Sequence, residues 1–89
     1  MIHYDIKIFG KVQGVGFRFN TKRTADKLGV SGFVKNKEDG SVYTEVEGEP
    51  EKVDKFIEWC KEGPSFARVK RIEKEEGGIQ DYEDFEIRY

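Results

Sequence analysis

The residues of this chain whose types suit chemistry are few, and most fall in one run, Gly10-Lys11-Val12-Gln13-Gly14-Val15-Gly16-Phe17-Arg18. Glycine accepts backbone conformations that aim successive amides at one point, so Gly14 and Gly16 predict a turn with several N–H groups facing inward. A helix starting just after such a turn adds unpaired N–H donors and the positive end of its dipole. Arg18 adds a planar, permanently charged fork that grips two oxygens at once. Together these groups suit an anion, most simply a phosphate. Asn36, eighteen residues beyond Arg18, carries an amide acceptor and donor, enough to hold a water in line with a bound phosphoryl group. Phosphoryl transfer asks mainly for positioning and charge stabilisation, so amides, one arginine and one water-holder are chemically sufficient. On residues alone a second possibility stays open: a tight connection that needs glycines, with Asn36 an ordinary turn initiator.

Other catalytic constellations are missing. His3 is the only histidine and Cys60 the only cysteine, so neither a Ser-His-Asp nor a Cys-His arrangement is easily built. With no companion histidine or thiolate at a ligand spacing, His3 reads as an ordinary strand residue rather than a metal ligand. Cys60 cannot form an internal disulfide and reads as a small core residue. No Gly-Lys-Ser or Gly-Lys-Thr follows the glycines, and Phe19 and Asn20 occupy the place of a third glycine, which excludes the P-loop and dinucleotide fingerprints. Paired carboxylates cannot be singled out among 18 acidic residues.

The elements that must position the run follow from periodicity. Tyr4, Ile6 and Ile8 alternate with Asp5 and Lys7, giving a half-buried strand over His3 to Phe9. Phe17, Thr21, Thr24, Ala25 and Leu28 recur at helical spacing, and Gly29 ends that helix. A second strand, Val30 to Asn36, is closed by a turn at Lys37-Glu38-Asp39-Gly40. Val42, Thr44 and Val46 alternate in a third. Pro50 and Glu51 open a second helix whose stripe is Val53, Phe56, Ile57 and Cys60, with Trp59 at its border as a packing residue, and Gly63-Pro64 stops it. Ala67, Val69 and Ile72 mark a fourth strand. The acidic stretch Glu75 to Asp84, with Gly77-Gly78, reads as a solvated, mobile loop rather than a metal site. Phe85, Ile87 and Tyr89 alternate in a short last strand.

Two helices cannot cover both faces of such a sheet, so one helical layer on one face is the economical arrangement. The expected architecture is an α+β, ferredoxin-like sandwich. Its mainly antiparallel sheet has four to five strands, in the order βαββαβ plus a short C-terminal strand. In it the glycine turn and the end of the second strand come close together. At 89 residues, 36% hydrophobic and 38% charged, the chain reads as one soluble globular domain, 1–89, and as a monomer. A net charge of −2 provides no general attraction to nucleic acid or an anionic membrane, and no apolar run reaches membrane-spanning length. With no apolar leader after Met1, a cytoplasmic location is the default.

The run from Gly10 to Arg18 resembles the signature of the acylphosphatases. It is followed at a matching distance by that family's second motif, Gly32-Phe33-Val34-Lys35-Asn36 and Asp39-Gly40-Ser41-Val42. Gly48-Glu49-Pro50, Trp59-Cys60, Gly63-Pro64 and the terminal Phe85-Glu86-Ile87-Arg88-Tyr89 extend the resemblance over nearly the whole chain. The resemblance implies hydrolysis of a small-molecule acyl phosphate to a carboxylate and inorganic phosphate. The loop residues Gln13, Gly14, Val15, Gly16, Phe17 and Arg18 would bind the phosphate, and Asn36 would orient the water. It implies no metal, no cofactor and no covalent phosphoenzyme, with the substrate's own phosphate as a proposed acceptor of the water's proton. Thr21 also matches a family position, where its hydroxyl would steady the loop or the water; it fits the helix's core-facing stripe equally well. The carboxylate of Tyr89 would pair with Arg18 if the last strand lies beside the loop. The sequence leaves two alternatives of other classes: an RNA-binding sheet and a module that binds an acyl phosphate for a partner enzyme. A site that grips mainly phosphate has little reason to discriminate the acyl group, so broad specificity is expected.

Overall fold

Alternation makes β1 (Ile2–Lys11) a strand with Ile6 and Ile8 on its inner face, and both are fully buried. In a computed structural model describing all 89 residues, Met1–Tyr89, it is followed by α1 (Phe17–Leu28), β2 (Ser31–Asn36) and β3 (Val42–Gly48), then by α2 (Pro50–Glu62), β4 (Arg68–Gly77) and β5 (Phe85–Ile87). The strands form one sheet in the order β4-β1-β3-β2-β5. Every neighbouring pair is antiparallel except β2 and β5, which run parallel. Ile6, Ile8, Val34, Val42 and Val46 from the sheet meet Phe17, Ala25, Val53, Phe56, Ile57 and Cys60 from the helices in one buried cluster. Both helices therefore lie on one face. This is the ferredoxin-like α+β sandwich, with β5 added at an edge.

Helix boundaries follow their local signals. Gly29 closes α1 by donating its N–H to the Ala25 carbonyl at 2.9 Å, and Pro50 with Glu51 begins α2. Cys60 is fully buried, and burial pushes its thiol pKa up. Trp59 packs edge-on against Phe17, ring centroids 5.5 Å apart, as a packing residue should.

The opposite face of the sheet departs from expectation in two places. His3 is not an ordinary strand residue: the register sets it across from Glu47 on β3, and Asp5 across from Glu45. The histidine residue is 2% exposed. Nδ1 lies 2.7 Å from Glu47 Oε2, and Nε2 lies 2.7 Å from Asp5 Oδ1 and 3.5 Å from Glu45 Oε1. Asp5 is a neighbour on the same strand, but Glu45 and Glu47 come from a strand more than forty residues away, a relation no local spacing reveals.

The acidic stretch from Glu75 is also not all loop. β4 continues to Gly77, paired with β1 through Asp5–Glu75 and His3–Gly77. It is an exposed edge strand whose charges hide its alternation and protect it from further pairing. The segment from Gly78 to Asp84 is fastened over this face. The Glu47 carboxylate accepts the Gln80 N–H and, at 3.2 Å, the Tyr82 N–H. The Tyr82 hydroxyl donates to Glu45 at 2.6 Å, and burial with that bond pushes its pKa up to about 12.

Candidate active site

Between β1 and α1 the chain turns through two glycines in the left-handed region, Gly14 at φ 73° and Gly16 at φ 75°. Side chains rarely adopt that conformation, which is why the turn takes this form here. The N–H groups from Gln13 to Phe19 reach no acceptor in the protein, backbone or side chain; the first satisfied donor of the helix is Asn20, bonded to the Gly16 carbonyl at 3.1 Å. A helix leaves its first N–H groups unpaired, and a side-chain cap or an acidic residue usually answers them. α1 has neither: Gly16 at its N-cap supplies no side-chain bond and its first turn contains no acid. An anion of roughly −1 to −2 charge placed there is favoured by the dipole and by the free donors together.

Arg18 projects into the same space. No carboxylate lies within ion-pair distance of its guanidinium, which instead sits 4.9 Å from the centre of the Tyr89 ring. The expected pairing with the Tyr89 carboxylate is thus replaced by a cation–π contact, because β5 runs beside β2 and carries the ring, not the carboxylate, over Arg18. Asn36, the last residue of β2, pairs through its backbone with Val42 and its side-chain amide makes no bond within the protein. One cavity of about 230 Å³ is lined by Gly14, Gly16, Phe17, Arg18 and Asn36, together with Val12, Phe19, Ile87 and Tyr89. The turn and the end of β2 are therefore brought together as the topology predicted.

The other expected residues stand behind this surface. Gln13 does not line the cavity: its amide donates to the Lys37 carbonyl at 2.8 Å and the Ser41 carbonyl at 2.9 Å. It fastens the glycine turn to the turn that follows Asn36. That second turn is held in addition by Asp39, whose carboxylate accepts the Ser41 hydroxyl and N–H, and these bonds lower its pKa. Val15 packs its side chain against the core, leaving only its amide to the site. Thr21 is buried, and its hydroxyl donates to the Phe17 carbonyl at 2.7 Å; it steadies the first turn of α1 and does not line the cavity. Sequence reasoning missed Val12, Phe19 and Ile87 as lining residues, and brought Tyr89 to Arg18 through its carboxylate rather than its ring. The alternation of Phe85, Ile87 and Tyr89 carried part of that signal, but the parallel pairing of β5 with β2 that brings them to the site is not readable locally.

A second group of ligand-type atoms, from His3, Asp5 and Glu45, lies within a 4.8 Å span on the sheet's other face. Its members are already satisfied, His3 by Asp5 and Glu47, and Glu45 by the hydroxyls of Tyr43 and Tyr82. No side chain that lines the cavity is a carboxylate, thiol or imidazole.

The family model described as Acylphosphatase matches residues 4–87. The chain belongs to the acylphosphatase family. It is thereby one of the hydrolases that act on acid anhydrides. An acylphosphatase of Archaeoglobus fulgidus is 46% identical over 89 residues, covering 100% of both chains. The crystal structure of an acylphosphatase from Bacillus subtilis matches with a TM-score of 0.97 at 38% identity, again over 100% of both chains. That of a Coxiella burnetii acylphosphatase matches with a TM-score of 0.94 at 37% identity, over 98% of this chain and 92% of that one. The acylphosphatase fold thus extends to β5, the strand that completes the cavity wall.

Proposed function

We propose that this protein hydrolyses acyl phosphates by direct attack of water on phosphorus. The observation that carries the reading is the run of unpaired N–H groups from Gln13 to Phe19, beside an Arg18 with no carboxylate partner and opposite an uncommitted Asn36. The amides and the guanidinium hold the three terminal phosphate oxygens and stabilise the charge that grows on them. Asn36 accepts a hydrogen bond from a water and sets its oxygen in line with the phosphorus. A bond forms between that oxygen and phosphorus, the phosphorus–oxygen bond to the acyl group breaks, and a carboxylate leaves. The water's proton passes to a phosphate oxygen, since no side chain that lines the cavity is a carboxylate or imidazole. Nor does that lining offer a serine or thiol nucleophile or a set of metal ligands, which favours a single displacement by water. No helix is long and apolar enough to cross a membrane; the same proposal takes the protein as a single-domain cytoplasmic monomer acting on a free small molecule.

Phosphate release from benzoyl phosphate tests the assignment. Arg18→Gln and Asn36→Ala each reduce kcat/KM by about 10²–10³, the scale of losing a transition-state donor, with the folded far-ultraviolet spectrum intact. Activity persists in excess EDTA. Near-normal turnover in either variant overturns that residue's role, and loss with EDTA overturns the metal-free displacement.

A further inference from the structure

The cavity has two kinds of wall. Gly14, Gly16, Arg18 and Asn36 serve a phosphate and a water, whereas Val12, Phe17, Phe19, Ile87 and Tyr89 are apolar or aromatic. Val12 and Phe17 belong to the core, 1% and 2% exposed. Phe19 and Tyr89 do not: they are 63% and 97% exposed. A single apolar side chain in water needs no explanation. Two aromatic rings from separate elements, the first turn of α1 and the segment after β5, flanking one phosphate cavity, form a surface that water covers poorly and a ligand covers well.

The chemistry fixes which part of the ligand meets them. The three terminal oxygens of an acyl phosphate are taken by the cradle, and the bridging oxygen leaves on the side opposite the attacking water. The acyl group is therefore directed away from Asn36 and out of the cradle, toward the exposed rim. We propose that Phe19, with the Tyr89 ring, forms an acyl subsite, and that the preferred substrates carry an aromatic or branched apolar acyl group. The inference rests on the hydrolytic reading and narrows the broad specificity expected from the sequence. Phe19 is the selective element, since Tyr89 is also engaged with Arg18.

The test compares wild type, Phe19→Ser and Phe19→Leu in KM for benzoyl phosphate, in KM for acetyl phosphate and in competitive inhibition by inorganic phosphate, which has no acyl group. Wild type shows a benzoyl KM about tenfold below the acetyl KM, and Phe19→Ser raises the benzoyl value about five- to tenfold, the scale of one lost apolar contact. Phosphate inhibition shifts less than about twofold on the same scale, and Phe19→Leu retains most of the preference. An unchanged benzoyl-to-acetyl ratio in Phe19→Ser overturns the subsite. Weakened phosphate inhibition in step with KM also overturns it, because Phe19 would then be supporting the cradle. Wild-type protein that releases phosphate from neither compound overturns the hydrolytic reading and the subsite with it.

Discussion

Replacing Glu47 with alanine removes the one carboxylate that joins three separate parts of the sheet's outer face. Its side chain is 2% exposed and serves His3 Nδ1 at 2.7 Å, the Gln80 N–H and the Tyr82 N–H at 3.2 Å. Truncating one partner of a buried, hydrogen-bonded charge pair costs about 3–5 kcal/mol, chiefly because the other partner stays buried without compensation. A chain of 89 residues has a total stability of roughly 4–13 kcal/mol at ~0.05–0.15 kcal/mol per residue, so the loss is a large share of it. The same contact carries a pH signature. Burial opposes a charged His3, but the hydrogen bonds and charges of Asp5 and Glu47 outweigh it and raise the pKa above its ordinary 6.5. Burial likewise opposes a charged Glu47, but bonds from the Gln80 N–H, His3 and the Tyr82 N–H outweigh it and hold the pKa below its ordinary 4.5. The histidine's contribution is complete below pH 6.5 and fades as pH rises through the raised value. The carboxylate's is complete above pH 4.5 and fades as pH falls through the lowered value. Stability therefore peaks between those limits and declines on the alkaline side by at most about 1.4 kcal/mol per pH unit for this one proton. Urea unfolding followed by Trp59 fluorescence, at a series of pH values, measures both effects. A Glu47→Ala loss below about 1 kcal/mol would show the pair is not the uncompensated kind. An alkaline decline that is the same in His3→Gln as in wild type would show that His3 is not its source.

Two further consequences are open to direct measurement. Gln13→Ala deletes two hydrogen bonds to the turn after Asn36, worth about 0.5–1.5 kcal/mol each. It lowers kcat more than it raises KM, because the phosphate cradle survives while the water-holder drifts. Gln13→Glu, which can donate to neither carbonyl, is at least as damaging, and wild-type kcat in both variants refutes the coupling. Cys60, buried with its pKa pushed up, stays unreactive toward a disulfide reagent in the folded protein and reacts on addition of denaturant; labelling of the native protein within minutes contradicts its burial.

Much of the fold was legible because its signals are local. The alternation of Ile6 with Ile8 and of Val42 with Val46, the helical recurrence of Val53, Phe56 and Cys60, and the glycines at the ends of α1 each act within a few residues. The charged edge strand β4 was harder, since its outward face and much of its inner face are polar and its last residues look like loop. The glycine turn, Arg18 and Asn36 were legible as a candidate anion site, but the same residues also suit a tight connection with Asn36 as its turn initiator, and spacing alone does not choose between the two. Gln13 was not legible in its observed role. Its amide reaches carbonyls more than twenty residues away, so its positioning role exists only once β2 and β3 fold back beside the turn. The same holds for His3 with Glu47, and for Tyr89 with Arg18: each depends on strand pairing, which residue spacing does not report.

The central claim is that the cradle and Asn36 deliver water to phosphorus rather than to the carbonyl carbon. Hydrolysis of benzoyl phosphate in heavy-oxygen water, with the products analysed by mass spectrometry, tests it in a single turnover. The arrangement at Arg18 and Asn36 predicts the label in inorganic phosphate and none in benzoate. Label in benzoate would place the attack at the acyl carbon and contradict the account.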